Sequence, residues 1–339
     1  MAQKIKLSTI GEALGVSTAT VSLALRDSPL VAEDTKVKVK AYAQDIGYIY
    51  NRRAASLRTQ RSGIIGVVVR DIINPFYSEI LGAIETELDR SNQTFLLSNH
   101  YDDVDKQRDF LETLLQLGAD GVILSPAIGT PPADIERLRK NGLPMVFVAR
   151  SMPDIDVPVF RGDDAWGIGL ATNHLISLGH KRIAMIGGTD DTSTGRDRYN
   201  GYALAMQRAG LPVEPKWRIP GPRTKAAGFE AATELLALSD HPTAAVCWND
   251  LVAIGLMSGI ARAGLRPGID ISVTGYDDLE EASIATPALT TVWNGQSEVG
   301  RNAARALLDR IEKKKPITGS DNLIRPELHI RQSATRINE

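Results

Sequence analysis

The 339-residue chain contains one cysteine, Cys247, and five histidines, His100, His174, His180, His241 and His329. A lone cysteine closes no disulfide within the chain, and its place in the apolar run TAAVCW reads as a buried, reduced thiol rather than a nucleophile. The histidines stand at no spacing that assembles a metal site, and neither a G-x-G-x-x-G nor a P-loop pattern occurs. Apolar runs such as GIIGVVV are too short to span a bilayer. The stretch MAQKIKLSTIGEALGV is polar and shows no leader pattern, so a cytoplasmic protein without membrane contact is expected. Nothing calls for a cofactor. What is present is ordinary for a globular protein, 43% hydrophobic and 24% charged, with length enough for two or three domains.

The net charge of −2 is unevenly spread. Residues 1–61 hold ten Lys/Arg (4, 6, 26, 36, 38, 40, 52, 53, 58, 61) against five acids (12, 27, 33, 34, 45). That segment is therefore +5 and the other 278 residues are −7. A small basic head on an acidic body is the footprint of a nucleic-acid binder, with a solvated basic face as the plainer alternative.

From Gly63 onward short apolar runs alternate with amphipathic stretches. Strands are expected at 63–69, 94–98, 121–125 and 144–149, with helices near 75–91, 104–117 and 132–141. The alternation resumes with strands at 182–188, 244–248 and 271–276 and helices near 164–178, 196–210, 224–238 and 250–264. A strand at 289–293, a helix near 296–313 and a strand near 324–331 follow. Strands interleaved with helices in this way imply two doubly wound parallel sheets, hence an α/β core of two lobes.

The head is all helical. Thr9-x-x-Glu12 has capping-box spacing and is expected to open a helix ending at Leu14. Gly15 makes a turn, and Ser17 caps a second helix, STATVSLALR. A third covers 33–46, with Ala32 a weak cap and Val39, Tyr42, Ala43 and Ile46 on one face. Two helices joined by a tight glycine turn form a helix-turn-helix. Its second helix is expected to expose Thr18, Thr20 and Ser22 to a major groove and to bury Val21 and Leu25.

Eight motifs in order carry a wider likeness: GVSTATVSLAL (15–25), GYIYNRRAASLRT (47–59), INPFYSEILGAIE (73–85), LISLGHKRIAMIGG (175–188), RDRYNGYALAM (196–206), CWNDLVAIG (247–255), ISVTGYDD (271–278) and PALTTV (287–292). Together they resemble the lactose-repressor/galactose-repressor (LacI/GalR) family of bacterial regulators over nearly the whole chain. The resemblance implies a helix-turn-helix domain at 1–49, a hinge helix at 50–61 and an effector-binding and dimerisation core at 62–339. That core would be periplasmic-binding-protein-like, lobe 1 spanning about 62–160 plus 292–320 and lobe 2 about 161–291 plus 321–339, crossed by three segments. It implies DNA contacts at Ser17, Thr18, Ala19, Thr20, Ser22 and Leu23 in the head, and at Asn51, Arg52, Ala54, Leu57 and Arg58 in the hinge. Arg52, Arg53, Arg58 and Arg61 would face phosphates, and Leu57, the one large apolar residue of NRRAASLRTQR, would wedge into the minor groove at the operator centre. Leu23 stands where relatives often carry a polar reader and offers only contact with a thymine methyl. Gly11 stands where relatives have alanine, a small cost in helix propensity.

The resemblance places effector contacts at Phe76, Arg150, Arg198, Arg223, Asn249, Asp277 and Asn294, a set suited to a polyol. Arg198 and Asp277 are expected on facing walls of one pocket, while Asp250 is a candidate cap for the following helix. Ala149 replaces a common aspartate and Arg223 a common aromatic, a shift toward positive charge that suits a sugar acid or sugar phosphate over a neutral hexose. The acids Asp277, Asp278, Glu280 and Glu281 read as a solvated loop rather than a catalytic or metal site. A sugar-processing enzyme or a periplasmic-type sugar receptor is the rival reading. A receptor has no use for residues 1–61. The expectation is a non-enzymatic homodimer, lacking a leucine-heptad tail for tetramers, that binds a pseudo-palindromic operator under effector control.

Overall fold

The computed structural model describes residues 5–49, 61–313 and 321–337, so the hinge residues Asn51, Arg52, Ala54, Leu57 and Arg58 lie outside the described residues. The chain separates into two compact units, residues 1–62 and 63–339.

The head consists of α1 (Leu7–Leu14), α2 (Thr18–Ala24) and α3 (Glu33–Asp45). Ile10, Val21, Ala24, Val39 and Ala43 form its centre. The α1 start differs from expectation. Lys6 is the N-cap and makes no side-chain cap bond, leaving Thr9 and Glu12 inside the helix instead of bracketing its start. Gly15 takes φ 67° and turns the chain into α2, where the Ser17 hydroxyl accepts from the Thr20 amide at 3.0 Å. Gly11 is buried, and the Val16 carbonyl oxygen lies 2.7 Å from where a Cβ would stand. Its small size is therefore used by the turn.

In the core, the first sheet has strand order β2-β1-β3-β4-β5-β11, all parallel, from β1 (Ile64–Val69), β2 (Thr94–Asn99), β3 (Gly121–Leu124), β4 (Met145–Val148), β5 (Val159–Gly162) and β11 (Asp321–Ile324). Alternation decides the layers. Ile65, Val67, Val69, Val146 and Val148 pack against α4 (Pro75–Arg90) and α12 (Gln296–Lys313). Val68, Met145 and Phe147 meet α5 (Val104–Gln116) and α6 (Pro132–Lys140) on the opposite face.

The second sheet has order β7-β6-β8-β9, from β6 (Ile183–Ile186), β7 (Arg218–Ile219), β8 (Ala244–Cys247) and β9 (Ser272–Thr274), also parallel. Ala184, Ile186, Ala245 and Cys247 face α9 (Lys225–Ala237) and α10 (Asp250–Arg262). Ile183, Met185, Ala244 and Val246 face α7 (Asp164–Ser177) and α8 (Ser193–Arg208). Cys247 is a buried free thiol whose pKa burial pushes up. The short α11 (Glu280–Ile284) follows β9.

Three segments join the lobes. The chain leaves β5 for α7, returns through β10 (Thr291–Trp293) into α12, and passes from β11 to β12 (Glu327–His329). β10 and β12 pair antiparallel as a separate ribbon. The single strand expected near 324–331 is thus two. Residues 321–324, assigned to lobe 2 from the sequence, instead extend the first lobe's sheet by pairing with β5, because an edge was open there.

Candidate functional sites in the head and the cleft

Thr18 and Ala19 are exposed at the start of α2, in reach of a partner. Ser17 is exposed, but its hydroxyl serves the cap and lies 2.9 Å from the Thr20 hydroxyl. Two expectations for this helix need correction. Ser22 is 3% exposed and so belongs to the interior instead of a groove-facing row. Leu23 is half-buried and packs on the head's own core, so its apolar character has a structural use. Val21 is buried as expected, while Leu25 is only half-buried.

The core holds a closed cleft. Arg70, Asn74, Phe76, Tyr77, Ala149, Arg150, Thr194, Arg198, Arg223, Trp248 and Asp277 line a cavity of about 30 Å³. Such a space holds water but no sugar, so a ligand of that size enters only if the lobes part along the crossing segments. A more open cavity of about 300 Å³, flanked by Ile128, Met152 and Arg196, shares Arg150 with it. The sheets present their carboxyl ends here, as open α/β sheets do to ligands. Arg70 and His100 follow β1 and β2, Arg150 follows β4, and Trp248 and Asp277 follow β8 and β9.

Arg198 projects from the second turn of α8, whose start Thr192 sets by accepting from the Gly195 amide at 3.0 Å. Its Nε donates to Asp164 at 2.7 Å, Nη1 donates to the Trp248 carbonyl, and Nη2 stands 3.6 Å from Asp277. The guanidinium also lies over the Trp248 and Tyr276 rings, 4.0 and 3.9 Å from their centroids. Arg198 and Asp277 are therefore neighbours in one lobe, not facing walls as the sequence suggested. Burial first, opposed by Arg198 and aided by Asp164, pushes the Asp277 pKa up to about 7. Asp277 and Ala149 both hold positive φ (109° and 63°), which for non-glycine residues costs about 1–3 kcal/mol each.

The other basic group centres on Asp102. Its carboxylate accepts from Arg70 Nε at 2.7 Å and from Arg150, and Arg223 Nη2 is 3.6 Å away. Burial opposes the charge on Asp102, but the Arg150 and Arg70 bonds outweigh it and hold the pKa well below the carboxylate range. His100 steadies this loop. Its Nδ1 accepts the Asp102 amide at 2.9 Å, and Nε2 bonds the Ser125 carbonyl at 2.9 Å. Burial lowers the His100 pKa, which keeps the ring neutral.

Of the seven effector contacts named from the sequence, Phe76, Arg150, Arg198, Arg223 and Asp277 line the cavity. Asn249 and Asn294 do not. Asn249 caps α10 by accepting from the Val252 amide at 3.0 Å, taking the role assigned to Asp250. Asp250 is fully buried and accepts from the Leu279 amide (2.7 Å) and the Thr291 hydroxyl (2.5 Å), tying β10 to the lobe. Asn294 donates to Asp277 at 3.2 Å from behind. The acidic loop is not solvated at its start. Asp277 is 2% exposed, and Asp278 is held by Arg331 and His329, each at 2.7 Å. Arg70, Asn74, Tyr77, Asp102, Thr194 and Trp248 were missed; Asn74, Tyr77 and Trp248 lie inside motifs quoted above, and the other three have no local signal to mark them.

A helix-turn-helix head preceding a two-lobed core with a charged cleft defines a DNA-binding regulator of the ligand-responsive kind. Residues 6–51 match the profile of bacterial regulatory proteins of the lacI family, and residues 172–334 that of the periplasmic binding protein-like domain. The chain is 33% identical over 333 residues to the HTH-type transcriptional repressor PurR of Photobacterium profundum, covering 98% of this chain and 99% of that one. A lac repressor dimer bound to operator and the anti-inducer ONPF superposes with TM-score 0.86 at 28% identity, over 98% of this chain and 100% of that one. A complex of the transcriptional regulator CelR with cellobiose gives TM-score 0.75 at 28% identity, over 97% and 100%. The chain belongs to the lacI family of bacterial regulatory proteins and is a DNA-binding transcriptional repressor, not an enzyme. Among the described residues no helix is long and apolar enough to cross a membrane.

Proposed function

We propose that the protein acts as a homodimer on a pseudo-palindromic operator and that a small polyol, a sugar or sugar derivative, controls its operator affinity from the cleft. The observation that carries this reading is the convergence of groups from both lobes on one cavity: Phe76 and Arg150 from one, Arg198, Arg223, Trp248 and Asp277 from the other. Guanidinium and carboxylate groups pair with neighbouring hydroxyls, and the Phe76 and Trp248 rings cover an apolar sugar face. The complex of CelR with cellobiose supports the ligand class, and the lac repressor dimer on its operator supports the assembly. In the head, Thr18 and Ala19 read base edges. In the hinge, Leu57 wedges the minor groove, Arg52, Arg53, Arg58 and Arg61 face phosphates, and Asn51 and the small Ala54 join the DNA contact. A ligand that parts the lobes on entry and binds that arrangement more tightly than the unliganded one shifts the core between two states and changes hinge spacing.

The test is a mobility-shift assay of the full-length protein on genomic fragments, with and without a panel of sugars and sugar derivatives. One or more compounds should shift operator affinity while leaving binding to random DNA unchanged. A protein that binds DNA without sequence preference, or whose operator complex ignores every compound that stabilises the core, does not fit this reading.

A further inference from the structure

Around Asp102, three arginines, Arg70, Arg150 and Arg223, have two acids, Asp71 and Asp102, within ion-pair reach among the described residues. Arg70 reaches Asp71 at 3.5 Å as well as Asp102, and Arg150 forks onto Asp102 through both terminal nitrogens, with Nη1 also donating to the Pro126 carbonyl at 3.0 Å. Pairing Arg70 with Asp71 and Arg150 with Asp102 leaves Arg223 over. It is the one member of the group from the second lobe, in the loop between β7 and α9, and among the described residues its only carboxylate within 4 Å is the shared Asp102, at 3.6 Å. Its Nη1 is buried and has no hydrogen-bond partner among the described residues, and the same is true of the neighbouring Trp248 Nε1. The Arg223 side chain is 12% exposed. Burial, followed by the Arg150 and Arg70 charges, drives its pKa below the ordinary value, yet a guanidinium stays charged in proteins.

A buried cation with an idle donor, held across a lobe boundary from two like charges, has only an anion shared with both of them. We infer that the effector carries an oxyanion, a carboxylate or phosphate, and that this group seats between Arg70 and Arg150 of one lobe and Arg223 of the other. This rests on the cleft being the effector site and deepens that reading by naming the ligand's charged end. Charge-assisted bonds to a guanidinium fork are the strong polar contacts available here. The anion has a second effect. It neutralises the repulsion of Arg223 by Arg70 and Arg150, so it holds the two lobes together around the ligand, and the rest of the ligand meets Arg198 and Asp277. Asp102 alone performs part of that neutralisation when no ligand is present.

The experiment uses the full-length protein and reads thermal stability and tryptophan fluorescence. Inorganic phosphate should raise the melting temperature of the wild type above an equal ionic strength of chloride, and Arg223→Gln should lose most of that increment. Without phosphate, Arg223→Gln should melt close to wild type, because relief from the Arg70 and Arg150 charges offsets the lost 3.6 Å contact with Asp102 and the lost place over the Trp248 ring, 5.2 Å from its centroid. Gluconate, glucose 6-phosphate and glucose then separate carboxylate, phosphate and neutral ligands. The anionic compounds that bind should lose roughly tenfold or more in affinity in Arg223→Gln. Equal stabilisation by phosphate and chloride, or phosphate stabilisation intact in Arg223→Gln, overturns the oxyanion site. If a neutral sugar alone shifts operator affinity and Arg223→Gln binds it normally, the oxyanion site fails while the effector-controlled repressor stands.

Discussion

Arg198 donates to Asp164 at 2.7 Å, and each of the two side chains is 3% exposed. The ion pair joins α8 to the start of α7, so Arg198 carries structure as well as any ligand contact. Removing one partner of a buried pair strands the other charge, at a cost of about 3–5 kcal/mol. After Arg198→Ala, Arg161 at 3.8 Å would be the one cation left within ion-pair reach of Asp164 among the described residues. That variant should unfold at markedly lower urea concentration, in addition to losing effector binding. Arg198→Lys should recover little, because a single ammonium cannot serve Asp164, Asp277 and the Trp248 carbonyl at once. A variant as stable as wild type that lost only ligand affinity would mean that the pair is not structural.

Asp277 gives the core a defined pH dependence. Its carboxyl holds its proton up to about pH 7 in the folded chain, against an ordinary value of 3.8. The folded state thus binds an extra proton across that window, and its contribution to stability declines as the pH rises through it. Burial raises the pKa values of Asp164 and Asp250 as well, which adds to the same slope. Urea midpoints measured from about pH 5 to pH 8 should fall, and Asp277→Asn should fall less over that range. An identical slope in the variant would place the titration on another group.

How much of this was legible depends on the range of each interaction. The strands of both lobes were visible because doubly covered sheets write continuous apolar runs, and β1 and β8 fall where GIIGVVV and AAVCW do. The α1 start was misjudged because Thr9 and Glu12 satisfy a local pattern that the chain leaves unused. Ser22 looked like a groove-facing polar residue, since a small hydroxyl gives no periodic signal of burial. The site divides in the same way. Arg198 and Asp277 sit in recognisable motifs, whereas Asp102 meets Arg70 and Arg150 across 32 and 48 residues and Arg223 from the other lobe. Asn249 and Asn294 have the chemistry of ligand contacts, but Asn249 Oδ1 serves the helix cap and Asn294 Nδ2 serves Asp277, and neither residue lines the cavity.

The head offers a test that separates folding from reading. The Ser17 hydroxyl meets the Thr20 amide at 3.0 Å and leaves Thr18 and Ala19 free. Ser17→Ala should cost the head about 1 kcal/mol, seen as faster hydrogen exchange at the α2 amides. Operator affinity should fall with it, but the salt dependence of binding should keep its slope, because no phosphate-facing charge is lost. A changed slope with unchanged exchange would make Ser17 a direct DNA contact instead of a cap.

Leu57 lies outside the described residues, and its expected role comes from the sequence: one large apolar residue among Arg52, Arg53, Arg58 and Arg61. A wedge acts only in the kinked complex, where unstacking a base step costs a few kcal/mol that the tighter wrapping of protein and DNA offsets. Leu57→Ala should leave the core's melting temperature unchanged, since the core begins after the hinge. It should weaken operator binding by roughly tenfold or more, the loss that follows if about 1.4 kcal/mol of apolar insertion disappears. Binding to random DNA rests mostly on phosphate contacts and should survive. Fluorescence transfer between the ends of an operator fragment should also report a smaller bend in the variant's complex. Equal losses on operator and random DNA, with the bend retained, would remove Leu57 from the operator centre and leave the hinge arginines as its only DNA contacts.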